Sequence, residues 1–77
     1  MSVRVTADDL LSAVLTGSVS VDLGHLLGVG HDVRVSFNDL DALLARGLPS
    51  VSLHYDGATV RFTHASGATM AVLEVMS

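Results

Sequence analysis

Residues 3 to 22, VRVTADDLLSAVLTGSVSVD, are echoed by residues 33 to 54, VRVSFNDLDALLARGLPSVSLH, and this duplication constrains the fold more than any other feature. At an offset of 30 the matches are Val3/Val33, Arg4/Arg34, Val5/Val35, Thr6/Ser36, Asp9/Asp39, Leu10/Leu40 and Gly17/Gly47. After an inferred two-residue insertion at Leu48 and Pro49, Ser18-Val19-Ser20-Val21 aligns with Ser50-Val51-Ser52-Leu53. Two amphipathic units can resemble each other by chance, so the duplication is a prediction about the fold.

Each unit carries the signals of a helix start. Thr6 and Ser36 stand three residues before Asp9 and Asp39, a capping-box spacing, and Val5 and Val35 stand where a hydrophobic staple would reach Leu10 and Leu40. The predicted helices cover about residues 7 to 16 and 37 to 46. Leu10, Leu11, Val14 and Leu15 share one face of the first, and Leu40, Leu43 and Leu44 one face of the second. Gly47 fits a left-handed helix end, with Leu48 folding back on Leu43 and Pro49 preventing continuation. Between the units, residues 23 to 31 hold three glycines and read as a loop with buried leucines, containing at most one turn of helix.

From residue 51 to 76 hydropathy alternates, interrupted at Asp56-Gly57 and Ser66-Gly67. Two-residue hairpin loops at both places pair Leu53 with Val60, Val51 with Phe62, Phe62 with Ala71, Val60 with Leu73 and Ala58 with Val75, giving three strands one apolar face. The opposite face carries Ser52, His54, Thr59, Arg61 and Thr63, then Met70, Val72, Glu74 and Met76. The last strand is thus apolar on both sides.

These elements make one α+β domain over residues 1–77, with the internal repeat followed by a β-meander over 51–76. Two tandem strand-helix-strand units suggest a split βαβ, ferredoxin-like sheet with both helices on one face and a C-terminal antiparallel β-hairpin extension. The alternative is an antiparallel sheet of four or five strands with two helices on one face.

Composition narrows the function classes. Of the 77 residues 49% are hydrophobic and only 16% charged, which excludes disorder, yet no apolar run reaches the ~18 residues of a membrane span. The formal net charge of -4 and four scattered arginines offer no footprint for nucleic acid. Cysteine is absent, removing disulfides, thiolate metal sites and cysteine nucleophiles together. Lysine, isoleucine, glutamine and tryptophan are absent too, a bias that points to a high-GC bacterial or phage source. The opening Met1-Ser2-Val3-Arg4 lacks a signal peptide's apolar core, so a cytoplasmic location is expected.

Neither a nucleophile elbow nor a phosphate-binding loop occurs, and Gly28-Val29-Gly30 is only half of a dinucleotide motif. No catalytic residue, cofactor or metal is therefore assigned; strict alternation sends His54 and His64 to opposite faces, where they cannot share an ion. The expected function is a small non-enzymatic binding or assembly module that self-associates as a homodimer or higher oligomer. Its interface would be Met70, Val72 and Met76. The alternative is a carrier of a small or apolar ligand, with a pocket between helices and sheet or at a subunit interface. Tyr55, Phe62 and His64 would line that pocket and Arg34 or Arg61 approach it, while His54, Arg61 and Glu74 form a polar cluster on the outer sheet face that suits an anion or small polar ligand.

Overall fold

The local signals are largely realised. The computed structural model describes residues 2–15, 19–47 and 49–76. In chain order the elements are β1 (Ser2–Thr6), α1 (Ala7–Leu15), β2 (Ser20–Asp22), α2 (Gly24–Leu27), β3 (Arg34–Ser36), α3 (Phe37–Leu44), β4 (Ser50–Tyr55), β5 (Thr59–Thr63) and β6 (Thr69–Glu74). Thr6 and Asp9 form a reciprocal capping box: the Asp9 N–H donates to Thr6 Oγ1 at 3.3 Å and the Thr6 N–H to Asp9 Oδ2 at 3.4 Å. Ser36 sits at the matching position of α3, but its side chain makes no capping hydrogen bond. Gly47 adopts φ +72° just beyond α3, whose last turn is tightened by Arg46 N to Leu43 O and Gly47 N to Leu44 O. The expected contact of Leu48 with Leu43, and the Gly17 end of α1, lie outside the described residues.

The duplication is present in the pairing. β1 pairs with β4 and β2 with β3, both antiparallel, through Val5↔Val51 and Arg4↔Ser52 in one ladder and Val35↔Val21 and Arg34↔Asp22 in the other. Each pair maps onto its counterpart by adding or subtracting 30. The same holds for the flanking bonds, Ala7 N to Pro49 O at 2.9 Å and Phe37 N to Val19 O at 3.1 Å. Each unit thus lends its first strand to the other's second, the reciprocal pattern of an isologous contact. The offset is 30 throughout, so the inferred two-residue insertion is corrected: Val51 occupies the place of Val21, which is 1% exposed, and not that of Val19, which is 75% exposed.

The ferredoxin-like expectation is overturned. A split βαβ sheet sets β1 and β3 side by side in parallel at its centre, and among the described residues no such pair forms. Instead there is a four-stranded antiparallel sheet in the order β1-β4-β5-β6 and a separate β2-β3 hairpin. Val21, Leu23, Val33 and Val35 are almost wholly enclosed, so the hairpin adds its side chains to the common core while its strands pair with each other and not with the edge of the larger sheet. α2 packs beside β1, while β3 meets the end of β6, where Met76 N donates to Arg34 O at 2.7 Å. The α+β class and the antiparallel four-stranded sheet of the alternative hold, with three helices among the described residues.

One core joins these layers. The inner sheet face supplies Val5, Val51, Leu53, Val60, Phe62 and Leu73, and the helices add Leu10, Val14, Leu27, Leu40 and Leu43. α1 buries Leu10 and Val14 while Leu11 and Leu15 face solvent, which divides the four residues assigned to one face.

The meander follows its expected faces with two adjustments. Tyr55 pairs with Val60 and Leu53 with Phe62, so the first loop is Gly57-Ala58 and the register is displaced by two residues. Asp56 sets this loop, its Oδ1 accepting from Ala58 N at 2.9 Å and Thr59 N at 2.8 Å. The second loop is Ala65-Ser66-Gly67, closed by His64 N to Ala68 O and Gly67 N to His64 O, with Gly67 at φ +89°. A bulge at Met70 then restores the expected Phe62↔Ala71 and Val60↔Leu73 pairs.

Candidate functional site

The outer face of the four-stranded sheet gathers the polar residues. Because β1 pairs with β4, two rows cross the strands: Arg4, Ser52, Thr63 and Thr69, and beside them Ser2, His54, Arg61 and Val72. A solvent-open depression of about 520 Å³ lies over this face, lined by both arginines, His54, His64 and the hydroxyl residues Ser52, Thr63 and Thr69. A second depression shares His54 and Arg61 with it and adds Tyr55, Asp56 and Thr59.

Hydrogen bonds hold the imidazoles. His54 Nδ1 lies 2.7 Å from Ser2 Oγ and its Nε2 lies 3.0 Å from Thr63 Oγ1, so hydroxyls of two neighbouring strands fix the ring. The Ser66 N–H donates to His64 Nδ1 at 3.2 Å, which makes that nitrogen the acceptor and puts the proton of the neutral ring on Nε2. His64, expected on the inner side, joins His54 because it has left β5 and entered the turn. Arg4 and Arg61 are exposed and form no ion pair among the described residues.

The remaining candidates scatter. Arg34 reaches Asp32 Oδ2 at 3.4 Å and Ser20 Oγ at 3.3 Å, away from the outer face. Phe62 is fully enclosed in the core. Tyr55 is half-buried, with its ring centroid 6.1 Å from that of His31. Glu74 is exposed and pairs with Thr59. Met70 is half-buried and packs against the core, because the bulge displaces it from strict alternation, while Val72 and Met76 are 55% and 45% exposed. Arg4 and Ser2 are not legible as site residues in the sequence, since only the β1-β4 pairing brings β1 to this face, whereas Ser52 stands on the expected outer face.

Two carboxylates titrate low for structural reasons. Burial pulls the Asp22 carboxyl upward, but the N–H groups of Gly24 and Val33, each 2.9 Å from Oδ1, outweigh it and hold the group below the ordinary carboxylate range. Thr59 N–H and Ala58 N–H lower Asp56 in the same way. Among the described residues no cluster of three or more potential metal ligands forms. Among the described residues no helix is long and apolar enough to cross a membrane. No family model, curated protein sequence or solved structure matches the chain significantly.

Proposed function

We propose that the protein is a small non-enzymatic assembly module that associates with a second copy of itself along β6. The supporting observation is the state of that edge strand. Its Thr69–Val72 stretch has no partner strand on its outer side among the described residues and carries no charged residue or proline. Beyond it β3 covers the end through the Met76–Arg34 bond. Natural edge strands are normally protected against pairing by charge, proline, a bulge or cover, and of these the Thr69–Val72 stretch has only the bulge at Met70. Val72 is exposed in the middle of this one, and Met76 adds apolar surface at its end. Antiparallel pairing of two β6 edges about a dyad would extend the sheet from one protomer into the next.

A carrier pocket between helices and sheet finds little support. The crevice lined by Ala7, Leu10, Leu43, Leu44, Ser50 and Val51 holds about 10 Å³, room for about one water-sized sphere.

Light scattering of the wild type at micromolar concentration should give at least twice the mass of the 8.0 kDa chain. Val72→Asp should shift it to the monomer with an unchanged circular dichroism spectrum. A wild type that stays monomeric up to ~100 μM, a concentration at which even weak protein contacts populate, would overturn the proposal.

A further inference from the structure

The chain carries a net charge of -4 and has only four arginines, yet two of these and two of its four histidines line one depression. No carboxylate is among the residues lining it. Arg4 and Arg61 lie two strands apart and two residues out of line, so their Cα atoms are about 12 Å apart. Between them stand His54, Ser52 and Thr63, with the ring of His54 already tied down on both nitrogens. Such a surface gathers two guanidinium groups and several hydroxyls around one depression, with a carboxylate, Asp56, only in the adjoining depression that shares His54 and Arg61.

We infer that this outer face binds a small phosphate-bearing ligand, with the guanidinium groups of Arg4 and Arg61 closing on the phosphoryl oxygens from two sides. Arginine suits this role because its planar fork matches a phosphate with two parallel hydrogen bonds. Ser52 adds a hydroxyl donor, and His64 contributes Nε2–H, the proton left to it by the Ser66 N–H on Nδ1. The depression contains no tyrosine, phenylalanine or tryptophan on which a nucleobase would stack, which favours a small phosphate ester over a single-stranded nucleic acid. The two arginines lie on β1 and β5 of one protomer, and only Thr69, at the margin of the depression, also belongs to the β6 edge.

Inorganic pyrophosphate is a suitable first probe, followed by amide chemical shifts of the full chain. Saturable shifts are expected at residues 4, 52, 54, 61 and 63 to 67. Arg61→Ala and Arg4→Ala should each weaken binding about tenfold, the effect of losing a charge-assisted hydrogen bond. Arg61→Lys should recover only part of the loss, because it restores charge without the fork. Both side chains are exposed, so the variants should fold, and shift dispersion checks this directly. Arg46→Ala, which removes the same charge at the end of α3, should change nothing. Scattered or non-saturating shifts would overturn the site, as would an equal loss with Arg46→Ala. A single-stranded oligonucleotide that binds the same residues more tightly than pyrophosphate would overturn the ligand class.

Discussion

Asp22 shows how one side chain closes the turn between the two units. Its Oδ1 accepts two backbone N–H groups, from Gly24 at the start of α2 and from Val33 just before β3, and so ties the β2-α2 corner to the returning strand. Asp22→Ala leaves both donors without that acceptor and should cost about 2 kcal/mol in urea unfolding, whereas Asp22→Asn keeps an oxygen there and should cost less. Gly24 is equally constrained, since a Cβ there would collide with the His31 carbonyl. Asp22 and Asp56 are both depressed in the folded state, so their stabilising contribution is complete above the ordinary carboxylate pKa and is lost as pH falls through the lowered values. The urea midpoint should therefore decline below about pH 4, and the decline should be shallower in Asp22→Asn. Thr6→Ala should cost about 1 kcal/mol by removing a formed cap, and Ser36→Ala clearly less because Ser36 makes no capping bond.

At the level of elements, the sequence revealed faces more reliably than registers, and the reason is periodicity. A strand repeats every two residues, so a slip of two leaves every side chain on its expected side. Both misplaced alignments are of this kind: Val51 matched in the repeat to Val19 instead of Val21, and Leu53 paired with Val60 instead of Phe62. Turn chemistry could not decide the first hairpin, because Asp56 acts through its side chain just before the loop and does not occupy it. The Met70 bulge left no signal in the alternation, and it separates Met70 from Val72. Met70→Asp should destabilise the fold by about 2 kcal/mol or more, while Val72→Asp should stay within about 0.5 kcal/mol in the monomer. The duplication supplies a further test. Leu11 and Leu15 are exposed, and their counterparts at the offset of 30 are Asp41 and Ala45. Leu11→Asp should accordingly change stability by no more than about 0.5 kcal/mol, measured by thermal and urea unfolding.

For the molecule as a whole, the split βαβ expectation failed because pattern and propensity do not specify which strand edges meet. The high apolar content is mostly absorbed by one shared core, and what remains outside includes Val72 and Met76 beside an open edge. The polar residues of β1, β4 and β5 meanwhile converge into one surface. Both proposed surfaces depend on strand order: Arg4 joins Arg61 only because β1 pairs with β4, and β6 offers an edge only because β3 does not extend the sheet along it. Cross-strand nuclear Overhauser contacts in the isotopically labelled protein therefore decide the strand order. The fold predicts matched antiparallel contacts between Val5 and Val51 and between Val35 and Val21, each with its neighbours in the same order. Parallel contacts between β1 and β3, or a β2-β3 register that does not map onto β1-β4 by 30, would contradict it.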